Sequence, residues 1–349
     1  MKRRHLVLTL VMVVILIVTG CSQGGTTTTA TTAAAAATTA GSDGGTVEAT
    51  VLKLGHIANP DTAYDNFAHE FKRLVEENSG GRYVIEIYPS GQLGVDRELM
   101  ESLQIGNVDF TVITASDINQ FVPDMAVQDL PFLFRDWDHV EKFLDSDVAQ
   151  ELYSLTESVG MTTLAFMPRG YRHVTSNVAP IYTPDDLKNL KIRVAESEIY
   201  IETFKALGAN AQAMAWGEVF TALQQGTIDA HENTIVTTRD YKIYEVQKYM
   251  SETGHFFAFA ALQMNSNLLN SMSAEDQAMI RAAGLEAAKT LGKEQKEDEA
   301  TAKAELESYG MKFNEVTDKA AFIEKVQPVY EEYFKTHDRK YFDAIQAIE

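Results

Sequence analysis

The chain has 349 residues, of which 45% are hydrophobic and 23% charged, a globular composition with room for one large domain or two ordinary lobes. Its formal net charge is -20. Without Lys2, Arg3 and Arg4 of the leader, 27 basic residues face 50 acidic ones, a balance of -23 that opposes nucleic acid and anionic lipid surfaces as partners.

The first twenty residues stand apart. Lys2, Arg3 and Arg4 precede an apolar run, Leu6 to Val18, broken only by Thr9. Thirteen residues are too few to cross a hydrocarbon core of about 30 Å comfortably as a helix, so residues 1–20 read as a signal peptide. Cys21 directly after Gly20 resembles the bacterial lipoprotein signal, which implies lipidation at Cys21. From Ser22 to Gly45 the chain is almost entirely Thr, Ala, Gly and Ser and buries too little apolar surface to offset its ordering entropy. Residues 21–46 are therefore expected to be a lipidated cysteine with a flexible tether. No cysteine follows Cys21, which excludes disulfides, a thiol nucleophile and thiolate metal sites from the folded part.

The body opens near Val47. Thr50 to His56 alternates as a strand should, and Phe67, Phe71, Leu74 and Val75 mark an amphipathic helix stopped at Gly80-Gly81. Tyr83 to Tyr88 predicts a strand closed by Pro89-Ser90-Gly91; Glu98 to Ile105 a helix; Phe110 to Thr114 a buried strand. The pattern resumes after Pro168. Thr183-Pro184-Asp185-Asp186 combines a cap, a proline at the first helical position and an acid three residues on, and so predicts a helix start. Lys191 to Val194 predicts a strand, Ile199 to Leu207 and Val219 to Gln225 predict helices, and His255 to Met264 predicts a strand buried on both faces. From Ser273 the chain reads as mostly helical, with breaks around Gly310 and Thr317. The alternation of strands and helices indicates an α/β fold with a ligand cleft between two lobes.

Enzymatic motifs do not emerge. There is no glycine-rich phosphate or dinucleotide loop and no nucleophile elbow, and His69-Glu70 and His231-Glu232 lack the second histidine of a helical zinc pair. The eight histidines are scattered, as surface or capping residues are, so neither a metal nor a cofactor is expected. The informative stretch is Arg169 to Asn233. In Lys191-Ile192-Arg193-Val194, Ile192 and Val194 share one face and Arg193 takes the other. A guanidinium binds a carboxylate through two parallel hydrogen bonds, which lysine does not reproduce. Arg172, expected at the start of another strand, and Arg193 entering one cleft from adjacent strands would make the local anion site that a strongly acidic chain requires. The competing reading pairs each arginine with one of the 50 acids.

The segment from Leu190 to Tyr249, LKIRVAESEIYIETFKALGANAQAMAWGEVFTALQQGTIDAHENTIVTTRDYKIYEVQKY, closely resembles the solute-binding proteins of tripartite ATP-independent periplasmic (TRAP) transporters, in their dicarboxylate-binding DctP branch. So do YPSGQLGVDRE at Tyr88 to Glu98, DLPFLF at Asp129 to Phe134 and GYRHVTSN at Gly170 to Asn177. The resemblance covers essentially everything from Val51 onward. It implies a two-lobed periplasmic-binding-protein-like fold with long spanning and C-terminal helices, closing around a carboxylate. Residues 47–169 with about 259–298 would form the first lobe, and 170–258 with about 299–349 the second.

By the same resemblance, Arg193 matches the arginine that forms a two-point salt bridge with the substrate carboxylate. Arg172 and Asn233 match further carboxylate contacts, and Trp216 a residue that packs on the ligand. The other lobe sets what lies beyond the carboxylate, and there the chain offers His56, Asn59, Asp96 and Thr114. Asn59 before Pro60 also reads as a turn residue, and Asp96 as a helix cap. Arg169 is an additional cation near the site, which either selects a second anionic group or pairs with an acid. Thr234 and Ala230 depart from the proline and glycine common in the family.

The expected function is that of a monomeric, exported lipoprotein anchored to the outer face of the cell membrane, binding a small organic acid anion and handing it to the TRAP permease subunits. A polar far wall favours a sugar acid such as a uronate over a C4-dicarboxylate, which would want a second cation such as Arg169. The other readings are a ligand-loaded partner of a signalling receptor and, third, an extracellular enzyme, for which no paired nucleophile and base is found.

Overall fold

A computed structural model describes residues 48–349. The leader, Cys21 and the Thr/Ala tether lie outside the described residues. Among the described residues no helix is long and apolar enough to cross a membrane.

Among the described residues nine strands form one sheet: β1 (Thr50–His56), β2 (Tyr83–Tyr88), β3 (Phe110–Thr114), β4 (Met161–Ser176), β5 (Lys191–Val194), β6 (Asn210–Ala213), β7 (Ala230–Thr234), β8 (Tyr249–Asn265) and β9 (Lys312–Glu315). Their order is β2-β1-β3-β8-β4-β7-β5-β6, with β9 beside β8. β1, β2 and β3 run parallel at one end, as do β5, β6 and β7 at the other. Each trio is a βαβ assembly of the kind its strand and helix alternation predicts. The antiparallel pair β4 and β8, 16 and 17 residues long, joins the two halves.

The long strands are nearly all apolar because both of their faces are covered. Along β8, Ala260, Leu262 and Met264 join the core under helix Ala63–Asn78, whereas Phe257, Phe259 and Ala261 join the cluster of Phe134, Phe143 and Phe166 on the other face. Alternate residues of one strand thus serve two cores. Helix Ala274–Ser308, 35 residues and about 52 Å long at 1.5 Å per residue, spans both halves. Its Ile280, Ala283, Ala287 and Leu291 pack with β1 and β8, and its Ala302 and Leu306 with Met250 and Ile235. It approaches β4 so closely at Gly292 that a Cβ there would lie 2.6 Å from Pro168 Cγ. The result is a two-lobed α/β binding-protein fold, whose connecting strands lose regular register between Pro168 and Gly170 and again between Arg172 and Val174.

Several elements differ from the sequence expectation. β4 begins at Met161, seven residues before Pro168, because Thr162 and Thr163, polar on paper, are satisfied inside by Ser266 Oγ (2.9 Å) and Thr156 Oγ1 (3.1 Å). The Thr183 start produces only the 3-10 turn Pro184–Leu187, although Asp186 accepts the Thr183 N–H at 2.8 Å as a capping acid should. The short strand β9 interrupts the C-terminal helices. Beyond it, Tyr333 and Ile345 pack into the Phe134 and Phe143 cluster, whereas Phe322 and Val326 join the core around Ile192 and Val194.

Candidate functional site

A cavity of about 210 Å³ lies between the two βαβ assemblies, bounded by two chemically different walls. The first is carried by strands. Arg172 lies near the end of β4, not at a strand start, and Arg193 lies on β5. The two strands are not adjacent. β7 runs between them, pairing Arg172 with Thr234 on one side and Arg193 with His231 on the other, and it supplies Asn233. Arg172, Arg193 and Asn233 all line the cavity with at most a few per cent of their surface exposed.

The two arginines are held differently. Arg172 is engaged by Glu232, with Nε donating to Oε2 at 2.6 Å and Nη2 to Oε1 at 2.8 Å. Burial opposes ionisation of Glu232, but the Arg172 guanidinium outweighs it and holds the carboxyl at about 2. His255 Nε2 adds a contact to the same Oε2 at 3.2 Å. Arg172 thus pairs with an internal acid, and among the described residues only its Nη1 has no partner. Arg193 has no carboxylate partner at all among the described residues. Its Nε and Nη2 donate to the Met214 carbonyl at 2.8 and 2.5 Å, and Nη1 is free. Burial pushes its pKa down to about 10, against the favourable field of Glu232, so it remains a cation at neutral pH. The Trp216 ring centroid lies 5.7 Å from the Arg193 guanidinium and packs edge-on to Tyr241.

The second wall comes from helix starts. Tyr64 stands in the first turn of helix Ala63–Asn78; Asp96 is the first residue of helix Asp96–Gln104; Thr114 ends β3; Asp117 follows in the 3-10 turn Ala115–Gln120. Tyr64 Oη and Thr114 Oγ1 share a hydrogen bond of 3.0 Å, and Asp96 Oδ2 accepts the Thr114 N–H at 3.3 Å. Asp96 Oδ1 is buried with no hydrogen-bond partner among the described residues. Burial raises the pKa of Asp96, and that of Asp117 well above its ordinary value, where the neighbouring Asp96 carboxyl adds to the shift. Arg169 bridges the walls: Nη1 donates to Tyr64 Oη at 3.1 Å and Nη2 to Thr237 Oγ1 at 2.6 Å. It pairs with no acid among the described residues, and its Nε is buried without a partner.

Seven residues singled out from sequence therefore line one cavity: Arg193, Arg172, Asn233, Trp216, Asp96, Thr114 and Arg169. Two do not. His56 is fully buried behind it, 3.3 Å from Asp65, and Asn59 is exposed at the rim of an adjoining hollow, where its backbone N–H donates to Tyr241 Oη at 3.3 Å. Sequence reasoning missed Tyr64, Asp117, Tyr241 and the partner acid Glu232. Glu232 is visible in the His231-Glu232-Asn233 string, where it reads only as half of a zinc motif. Asp117 carries no signal, since a 3-10 turn has no usable periodicity. Among the described residues no group of His, Cys, Asp or Glu is arranged to hold a metal ion.

Residues 54–337 match the bacterial extracellular solute-binding protein family 7, DctP. A solute-binding protein of Verminephrobacter eiseniae is 35% identical over 287 residues, 82% of this chain and 84% of that one. The crystal structure of a TRAP periplasmic solute-binding protein from Bordetella bronchispeptica, its ligand density assigned to pantoate, superposes with a TM-score of 0.83 at 37% identity, covering 86% of this chain and 99% of the other. Another, from Polaromonas sp. JS666 and bound to D-erythronate, gives 0.83 at 34% identity over 86% and 99%. The matched span, the fold and the cleft agree, and the chain belongs to the DctP family of bacterial extracellular solute-binding proteins, the solute-binding proteins of TRAP transporters.

Proposed function

We propose that this protein captures a small hydroxylated monocarboxylate and delivers it to a TRAP permease, with Arg193 as the principal carboxylate ligand. The observation that carries this reading is the buried Arg193 guanidinium without a counter-ion. An unpaired charge removed from water is costly unless an anion arrives to meet it. With Nε and Nη2 turned to Met214, the Nη1 and Nη2 end of the fork is left to grip a carboxylate by two parallel hydrogen bonds. Arg172 Nη1 and the Asn233 amide add donors, and Trp216 covers the ligand. Arg169 and Tyr241 tie one wall to the other, so that ligand contacts on both walls stabilise the closed form.

The pantoate and D-erythronate assigned to the two related structures are hydroxylated monocarboxylates, which supports this ligand class. We further propose the exported, Cys21-lipidated and tethered form, acting as a monomer, with lobes divided near residues 169, 259 and 298 and the last helices leaning on the first lobe. A thermal-shift screen of D-erythronate, pantoate, D-glucuronate, succinate and L-malate tests the reading. The hydroxylated monocarboxylates should raise Tm in the wild type and not in Arg193→Ala. Equal shifts in both proteins would remove Arg193 from the role.

A further inference from the structure

Among the described residues the sheet ends on β6 at one side and on β2 at the other, and the two edges differ. β6 has four residues, too few to template much pairing. β2 is the six-residue run Tyr83-Val84-Ile85-Glu86-Ile87-Tyr88, aromatic and β-branched throughout except for Glu86 and without proline. That composition pairs readily with a further strand.

Alternate residues of an edge strand turn their N–H and C=O groups away from the sheet. In β2 these are Tyr83, Ile85 and Ile87, because the Arg82 carbonyl accepts the Thr50 N–H of β1 at 2.8 Å and so puts the even-numbered positions on the β1 side. At the middle position both outward groups are taken by side chains of helix Ala63–Asn78. The Ile85 N–H donates to Glu76 Oε1 at 3.0 Å, and Lys72 Nζ donates to the Ile85 carbonyl. Lys72 Nζ and Glu76 Oε1 are themselves 2.7 Å apart, one helical turn separating their residues. Ile85 is fully buried in the core with Phe71 and Val75 of the same helix, which holds the helix and the strand edge in this relation. A half-exposed ion pair contributes little to stability by itself, so its placement is what sets it apart. Arg73, on the same helix, pairs only with Glu70 and Glu77 and meets no strand.

The symmetry of the edge says what this placement opposes. Two copies joined antiparallel through β2 with all outward groups matched would set Ile85 opposite Ile85, Tyr83 opposite Ile87 and Val84 opposite Glu86, so that no like charges meet. The two central hydrogen bonds of that pairing would use the N–H and C=O of Ile85, the groups that Glu76 and Lys72 occupy. We propose that Lys72 and Glu76 stand in for a neighbouring strand at Ile85 and thereby keep the β2 edge from pairing with a second copy of this chain.

The test is size-exclusion chromatography with light scattering on the wild type, on Lys72→Ala/Glu76→Ala and, as control, on Glu70→Ala/Arg73→Ala. Each double variant removes one positive and one negative charge from the same helix, so net charge is the same in all three proteins. With rising protein concentration, Lys72→Ala/Glu76→Ala should approach twice the mass of the wild type, whatever the wild type's own state, and the control should elute with the wild type. A Lys72→Ala/Glu76→Ala protein that keeps the wild-type mass overturns the proposal, as does equal association of the control. Amide exchange in the wild type needs no variant to fold and decides the matter where the double variant does not: Ile85 should exchange about tenfold or more slowly than Ile87, the next outward residue. Equal exchange at the two positions would refute the closed edge.

Discussion

The two walls of the cleft are built on opposite plans. On the strand wall every charged group is fixed from behind: Arg172 by Glu232, Glu232 by His255, and Arg193 by the Met214 carbonyl. On the helix wall the polar groups are fewer in partners and more varied in kind, namely a phenol, a threonine hydroxyl and two acids, one with an oxygen left over. A rigid array of donors suits the part of a ligand that never changes, its carboxylate. A wall of mixed donors and acceptors suits the part that differs from one acid to the next. Affinity and selectivity should therefore separate under mutation, the first following the strand wall and the second the helix wall.

The largest effect should come from breaking the fixed wall at its buried ion pair. Glu232→Ala strands Arg172 without its counter-ion and should lower unfolding free energy by about 3–5 kcal/mol, read by urea denaturation. A loss below about 1 kcal/mol would mean the strand wall does not depend on that pair. Next, Arg193→Ala should weaken acid binding by about 2–5 kcal/mol, roughly thirtyfold or more by calorimetry. Arg193→Met should leave the ligand-free protein as stable as the wild type or more so, because it removes a buried charge that has no carboxylate partner.

A pH experiment sharpens the contrast further. Asp129 is buried in the field of Arg172 and Glu232 and accepts from Asn119 Nδ2 at 2.6 Å, and burial pushes its pKa up to about 7. The folded protein therefore holds this proton more tightly than the unfolded chain, whose aspartates titrate near about 4. Stability from this group is full below that value and is lost as pH rises through about 7. Asp129→Asn should raise Tm at pH 8 and change it little at pH 4; an equal change at both would contradict the assignment. Glu232 has the opposite sign, its contribution being present above about 4.3 and lost as pH falls towards about 2. The smallest effect belongs to the rim. Tyr241→Phe removes one hydrogen bond to Asn59 and should weaken ligand binding by about 0.5–1.5 kcal/mol without changing which acid is preferred.

The same contrast explains what could be read in the sequence. Strands β1, β2, β3 and β5 were legible to the residue, since each alternates or is uniformly apolar between clear turn signals. The strand wall was legible because its residues sit in continuous motifs, KIRV and GYRHVTSN, that resemble a family. The helix wall was not. Asp117 and Tyr64 reach the cavity from segments far apart in the chain, and no local pattern marks either as facing a ligand. His56 illustrates the converse: it ends the right strand but is buried beside Asp65, because a shift of one residue along a strand switches the face a side chain takes. Pairing of Arg172 with Glu232 was likewise beyond the sequence, since it depends on β4 and β7 lying side by side.

The most direct measurement compares wild type and Arg193→Lys by calorimetric titration with the acid that gives the largest thermal shift. Lysine keeps the charge but lacks the fork, so two-point recognition predicts a loss of at least about 1.4 kcal/mol, tenfold in affinity. Near-native affinity in the lysine variant would contradict the carboxylate grip assigned to Arg193.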